Sequence, residues 1–348
     1  MKSKKILSII VIIVAASGYL TVQAQTGAQS SQRLSALLYS DFYYIAQNHN
    51  EDLEGENGFW TRRVYFTYDN RLNERFTARI RLEMNSPGDF STNTKLEPYV
   101  KDLYLNWAMS ENHSLIAGLS PTPTWGLAER IWGYRSVEKS PLDLYKLGSS
   151  RDSGIAMQGN FGSLNYHAMF GNGSGTGAET NKYKKYMLSL AWWFTDNFVA
   201  EVYGEYDKRS STNNRSTAHA LAGYVSDNFN IGAMYASQTR TQQVTGASDI
   251  TETLDVASIF TNFKLSDKWT GILRADHMFD ANPQGPTIDY IPFSSEAEST
   301  FLIIGFGYQP IPRVHVIPNI ETIFYGDAPD GSSPKTDVIL RTTLYFTF

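Results

Sequence analysis

Residues 76–85 read FTARIRLEMN, and apolar and polar side chains alternate along them without a break. The apolar members are Phe76, Ala78, Ile80, Leu82 and Met84. Successive side chains of a β-strand point to opposite sides of the sheet, so this segment predicts a strand with one oily face and one ionic face. In a soluble β-sandwich the apolar face would pack in the core. In a membrane barrel it would face lipid, and Arg79, Arg81 and Glu83 would line a water-filled interior.

The composition distinguishes a bundle of membrane-spanning helices from a membrane barrel. The chain has 348 residues, of which 42% are hydrophobic and 19% charged, and its mean hydropathy is −0.32. This value excludes a bundle of membrane-spanning helices but suits a barrel, because half of every barrel strand is polar. The chain has no cysteine, so no disulfide framework stabilises it.

The N-terminus predicts a secretory signal peptide over residues 1–24. Three lysines precede the apolar run ILSIIVIIVAASGYL (6–20), and TVQA offers small residues for cleavage after Ala24. The alternative, a membrane anchor, needs about 20 apolar residues, and the run is shorter. The mature chain, 25–348, begins without a lipoprotein cysteine. Cleavage removes three of the 30 basic residues and none of the 35 acids, which leaves a net charge of −8 and no sign of a nucleic-acid partner.

The rest of the chain contains sixteen candidate strands joined alternately by short and long connections. The short connections are 69–73, 110–112, 162–163, 195–197, 226–228, 266–268 and 309–312. The long ones are 47–58, 86–98, 120–150, 172–183, 208–216, 238–253, 280–299 and 325–335. This alternation predicts an all-β, antiparallel, up-and-down transmembrane barrel of about 16 strands, with both termini at the short-turn end.

Aromatic residues favour the same interpretation, because amphipathic rings prefer membrane interfaces. One set falls beside the short turns or the C-terminus: Phe76, Trp107, Phe194, Phe198, Phe229, Trp269, Tyr308 and Phe346. A second set falls at the opposite strand ends: Tyr206, Tyr235, Phe279 and Phe324. The last strand, VILRTTLYFTF (338–348), alternates and ends on Phe348, as the C-terminal strands of outer-membrane barrels do.

Three segments resemble the phosphate-selective porin O and P family: FWTRRVYFTYDNRLNERFTARIRLE (59–83), YVKDLYLNW (99–107) and SRDSGIAMQGNFGSLNYHAMFGNG (150–173). The resemblance implies a sixteen-stranded porin of the Gram-negative outer membrane, commonly a homotrimer, whose third outer loop, here 120–150, folds into the lumen. It implies passive diffusion of small hydrophilic solutes or inorganic ions, a surface in contact with outer-membrane lipid, and a terminal Phe348 read by the barrel-assembly machinery. Anion or phosphate preference would follow from basic residues at the constriction, but here acids are interspersed among them.

Alternate residues of each strand lie on its polar face, and these residues, together with the resemblance, give the candidate site residues. The predicted pore-lining residues are Arg63, Arg79, Arg81, Glu83, Asp102, Tyr104, Glu201, Glu205, Arg274, Asp276, Arg313, Glu321 and Arg341. The predicted constriction charges on the loop are Glu129, Arg130, Arg135, Glu138, Lys139, Asp143 and Lys146. A turn centred on Arg71 would place Arg63 opposite Arg79, which predicts a basic wall strip facing loop acids. The alternative is a salt-bridge network that only braces the wall.

Catalytic motifs are missing from the sequence. Six histidines are scattered without the HExxH spacing of a metal site, and GxSxG does not occur. We therefore expect no enzyme activity, no metal and no cofactor. Two alternatives stay open: a barrel acting as a surface adhesin or receptor, and a barrel hydrolase whose catalytic residues meet only in space.

Overall fold

The computed structural model describes residues 31–93 and 95–348, so the predicted signal peptide lies outside the described residues. The strands are β1 (Gln32–Gln47), β2 (Asn57–Arg71), β3 (Phe76–Asn85), β4 (Glu97–Ala108), β5 (His113–Pro121), β6 (Arg151–Phe161), β7 (Leu164–Gly171), β8 (Lys185–Trp193), β9 (Phe198–Lys208), β10 (Asn213–Val225), β11 (Phe229–Gln242), β12 (Ile250–Lys264), β13 (Trp269–Met278), β14 (Ser299–Ile311), β15 (Val314–Tyr325) and β16 (Asp337–Thr347). Short helices lie between them: α1 (Gly126–Trp132), α2 (Pro141–Leu144) and the 3₁₀ turns Glu51–Leu53 and Gly285–Thr287.

Each strand pairs antiparallel with its neighbours in sequence, and β1 pairs with β16 to close the sheet. The sixteen strands therefore form one up-and-down barrel, which confirms the predicted fold. Closure leaves no free sheet edge, as a sheet surrounded by lipid requires. Over residues 31–93 and 95–348, no helix is long and apolar enough to cross a membrane.

The opening segment shows which face of a strand meets which environment. On β3, Ile80 and Leu82 are exposed on the outside of the barrel, whereas Glu83 is fully buried inside it. Phe76 and Trp107 sit at the ends of β3 and β4 as predicted, and their rings stack with 5.9 Å between the centroids. Tyr235 does not lie at a strand end, because β11 continues to Gln242. The barrel thus has an apolar exterior and an ionic interior, the arrangement of a transmembrane barrel.

The long third loop, 122–150, folds into the lumen as predicted. Its helix α1 is followed by the C-cap residue Gly133, which adopts a left-handed conformation (φ 70°). Leu127, Ile131 and Trp132 form the buried face of the helix and pack against the inner wall of β9–β12. Gly223 of β10 makes room for this helix, since a Cβ at that position would clash with Ile131 Cδ1.

A second loop, 279–298, also enters the barrel, and this insertion was not among the predictions. Its side chains Ile288, Ile291 and Phe293 are buried in the same apolar cluster as the third loop. The Tyr290 hydroxyl donates to the carbonyls of Arg62, at 2.8 Å, and Ser86, at 3.0 Å. The run TIDYIPF (287–293) was the available signal, because so apolar a run is unusual in an exposed loop.

Candidate pore constriction

Two β-bulges increase the number of cations inside the barrel. Where β2 pairs with β1, Arg63 lies opposite Tyr39 and Thr61 lies opposite Ser40, so Arg62 has no partner residue on β1. Opposite β3, the pairing of β4 skips Lys101 in the same way. Each bulge lets two consecutive side chains point inward, so Arg62 joins Arg63 and Lys101 joins Asp102.

The predicted pairing of Arg63 with Arg79 is wrong. Arg79 lies opposite Asp69 and binds it at 2.6 Å, while Arg63 lies opposite Asn85. The register differs because β2 continues to Arg71 and the turn is made by residues 72–75. There Asn73 accepts hydrogen bonds from the backbone N–H groups of residues 75 and 76. The correct register replaces a like-charge pair with an ion pair.

Three cations surround the Tyr65 ring on the inner wall. The guanidinium of Arg81 lies 5.3 Å from the ring centroid, the ammonium of Lys101 5.6 Å and the guanidinium of Arg63 6.0 Å. Contacts of this kind attract a cation to the negative face of the ring. Tyr65 thus holds side chains of β2, β3 and β4 in one positively charged group, which we call the Tyr65 cluster: Arg63, Tyr65, Arg81 and Lys101.

Two buried carboxylates compensate part of this charge. Glu83 binds Arg63 at 2.8 Å and Lys101 at 2.5 Å. Asp102 binds Arg81 at 3.4 Å and also pairs with Arg151 of β6. Four cations therefore share two carboxylates, and this part of the wall carries a net positive charge.

The third loop presents charges of both signs toward this wall. Arg135 bridges Asp143 at 2.9 Å and Glu129 at 3.4 Å. Burial alone would raise the pKa of Asp143, but the cations Arg135, Lys139 and Arg63 outweigh it and hold the pKa below its ordinary value. Asp143 is therefore ionised at neutral pH.

The other predicted loop charges occupy different surroundings. Arg130 is exposed and lies over the Trp193 ring. Glu138 is buried against Arg341, 3.9 Å away, and Lys139 is buried and binds Asp289 at 2.8 Å. Lys146 donates to Thr287 Oγ1 at 3.0 Å, and burial lowers its pKa. Glu138 thus braces the third loop against β16, Lys139 links the two inserted loops, and neither side chain faces open water.

The predicted wall residues also differ in their surroundings. Tyr104 lies beneath the Arg79 guanidinium, and Glu201 faces the third loop. Glu205 binds Lys185 at 2.6 Å.

The inserted loops cover Arg274, Asp276, Glu321 and Arg341, which are buried. Arg313 is not a lumen residue, because it is exposed in the two-residue turn between β14 and β15 (φ 71°).

Four residues of the constriction were missed: Arg62, Tyr65, Lys101 and Arg151. Consecutive charges, RR at 62–63 and KD at 101–102, interrupt otherwise alternating strands, and this was the signal for the two bulges. Among the residues that the structure describes, no group of three His, Cys, Asp or Glu side chains could hold a metal ion.

No family model matches this chain, and no curated protein matches it. Among solved structures, it is similar to the anion-selective porin from Comamonas acidovorans, with 11% identity over 92% of this chain and 100% of that one and a TM-score of 0.65. It is similar to the outer membrane channel DcaP of Acinetobacter baumannii, with 13% identity, 93% and 99% coverage and a TM-score of 0.65. Salmonella typhi OmpF gives 11% identity, 91% and 97% coverage and a TM-score of 0.61. The chain therefore has the sixteen-stranded barrel fold of outer-membrane porins.

Proposed function

We propose that this protein is an outer-membrane channel for passive diffusion of small hydrophilic solutes or ions in a Gram-negative bacterium, without catalysis, metal or cofactor. The observation that carries the proposal is the uneven filling of the barrel. The two inserted loops cover the inner wall of β9–β16, while the Tyr65 cluster on β2–β4 faces the charged side of the third loop. Arg81, Arg135 and Asp143 keep 21, 17 and 20% of their side-chain surface exposed, so water reaches both sides.

The path would run between these two charged surfaces. A cationic wall facing a loop that carries Asp143 produces a field across the path, and such a field orients dipolar solutes and filters ions. Because four wall cations share two carboxylates, we propose a preference for anions. The similarity to a porin described as anion-selective is consistent with this preference.

The cellular setting is part of the proposal. Residues 1–24 would direct export and be removed after Ala24, and the Phe348 end of β16 would be read by the barrel-assembly machinery. The mature chain would assemble as a homotrimer in outer-membrane lipid, as one solved structure with this fold is described as a trimer. Chemical cross-linking in native membranes would test the trimer.

Single-channel recording tests the function. The mature protein, folded in detergent and inserted into a planar bilayer, should give discrete current steps, and its reversal potential in a KCl gradient should have the sign of an anion-preferring channel. Folded protein that gives no steps would overturn the channel and favour the receptor or adhesin. Cleavage of lipid or peptide substrates by the same preparation would favour the hydrolase.

A further inference from the structure

A separate cavity of about 420 Å³ lies at the long-loop end of β9–β12. Its lining includes three cations, two amides and one carboxylate: Arg209, Arg215, Arg240, Asn213, Gln242 and Glu252. Thr217 and Gln238, two residues further into the barrel on the same strand faces, both donate to the carbonyl of Leu147 in the third loop. The cavity therefore belongs to the outer mouth of the barrel, directly above the third loop and away from the Tyr65 cluster.

The charges around this cavity do not balance. Arg215 and Arg240 lie directly opposite each other on β10 and β11, an arrangement that is destabilising for like charges. Arg240 pairs with Glu252 at 3.1 Å, and Arg209 pairs with Asp207 at 3.2 Å. Three cations thus share two carboxylates, and in the described part of the chain Arg215 forms no ion pair of its own.

The end of the Arg215 guanidinium is available to a solute. Its Nε is buried, whereas Nη1 and Nη2 are not, and neither has a hydrogen-bond partner within residues 31–93 and 95–348. Arg240 is already committed, because its Nε donates to Gln238 at 2.8 Å, its Nη1 donates to Glu252 and its Nη2 is buried. Two N–H groups of one guanidinium bind a carboxylate or phosphate through two of its oxygens. Arg215 is therefore the anion-binding group of the cavity.

The side chains beside Arg215 suit hydroxyl groups. Asn213 and Gln242 lie opposite each other, one inward-facing position closer to the loops than Arg215. An amide both donates and accepts hydrogen bonds, as a hydroxyl group does. Glu252 adds an acceptor, since its side chain is 40% exposed and its Oε2 alone accepts from Arg240. A second anionic group on the solute would be repelled by this carboxylate, whereas a hydroxyl group would donate to it.

We propose that this cavity binds a small carbohydrate that carries one carboxylate or phosphate group. The anionic group would bind Nη1 and Nη2 of Arg215, and hydroxyl groups of the sugar would bond to Asn213, Gln242 and Glu252. An uncharged sugar would leave the surplus positive charge uncompensated, and an inorganic anion would leave the amides to water. The proposal rests on the proposed channel function in one respect, since the bound sugar would be on its way through the barrel mouth to the constriction.

Titration calorimetry on the folded mature protein in detergent tests the site, with D-glucuronate and D-glucose 6-phosphate as probes. Three reference solutes each lack one part of the ligand: D-glucose has no anionic group, and acetate and inorganic phosphate have no sugar. We expect at least one probe to bind, and its reference solutes to bind at least about tenfold more weakly, as loss of a charged hydrogen bond or of several neutral ones implies. No binding of either probe, or equal binding of glucose, acetate or phosphate, would overturn the proposal.

Variants locate the binding. R215Q should weaken binding of the probe about tenfold or more, and the matched control R75Q, at an exposed short turn, should not. The double variant N213A/Q242A should weaken binding of the probe but not the residual binding of acetate. Heat-modifiability on gels checks folding, and R215Q removes a charge that has no ion pair to lose.

Unchanged binding in R215Q would overturn the site. Conductance recorded in parallel keeps the two proposals separate, because binding in detergent does not require an open path. Current without binding overturns the site alone, and binding without current overturns the channel alone.

Discussion

Arg62 and Arg63 are adjacent in the sequence, yet both side chains point into the barrel. A β-bulge opposite Tyr39 and Ser40 makes this possible. The two arginines then serve different partners, because Arg62 pairs with Asp41 and Arg63 with Glu83. Arg62 also donates to carbonyls of the third loop, including that of Val137 at 2.9 Å. One bulge thus supplies both a wall cation and a loop anchor.

The orientation of β3 predicts opposite effects for arginine on its two faces. Leu82→Arg should make folding into a bilayer less favourable by about 2–4 kcal/mol, because the charge would face lipid. Thr77→Arg, on the inner face of the same strand, should cost far less. Urea titration of folding into vesicles measures both values, and equal costs would contradict the assigned faces.

The Tyr65 cluster should control ion selectivity. Replacing Arg81 and Lys101 together by glutamine removes two wall cations, while Asp102 keeps Arg151 and Glu83 keeps Arg63. The barrel should therefore fold, and the permeability ratio of chloride to potassium should fall several-fold. The matched control replaces Lys264 and Lys268, exposed at the turn end, by glutamine. A reversal potential that moves equally in both double variants would refute a local role for the cluster.

Arg62→Gln should destabilise the barrel and loosen the third loop. It leaves the carboxylate of Asp41 buried without its cation, which costs about 3 kcal/mol. Adding Asp41→Asn removes that charge and should recover most of the stability. The double variant should still show noisier single-channel currents, because the bonds to the loop carbonyls stay lost. Quiet currents in the stable double variant would show that Arg62 does not anchor the loop.

The contact between the two inserted loops should limit the pore. Asp289→Lys opposes Lys139, its present partner at 2.8 Å, and should raise conductance or current noise by separating the loops. The charge-swapped pair Asp289→Lys with Lys139→Asp should restore wild-type currents. A swap that behaves like the single variant would assign the effect to Asp289 alone.

The charge of Asp143 should make the ion selectivity of the channel depend on pH. Its pKa is held below the ordinary 3.8, so its carboxylate supports the folded loop at neutral pH, and this support is lost only as pH falls through the lowered value. Asp143→Asn should increase anion preference at about pH 7. The difference from wild type should persist down to about pH 5 and vanish in stronger acid, where the wild-type group is protonated. Reversal potentials across this range measure it, and a difference that disappears near neutrality would contradict the lowered pKa.

The sequence by itself determined the barrel and the two faces of its strands. Period-two alternation on β3 placed Ile80 and Leu82 outside and Glu83 inside, since a strand has only two sides and lipid tolerates only one of them. The alternation of short and long connections determined the up-and-down order. The insertion of the third loop into the lumen was expected from the resemblance to the porin family, in which the loop at this position folds inward.

Only the tertiary structure decided the constriction. The bulges at Arg62 and Lys101 depend on pairing with a neighbouring strand, and the Arg79 register depends on where the turn bends. Asp102 and Arg151 are far apart in the sequence and meet because β5 alone separates their strands. The second inserted loop is held by contacts such as Tyr290 to the Arg62 carbonyl. Local periodicity determines the side of the sheet on which a residue lies. The partners of that residue depend on which distant segments the closed barrel brings together.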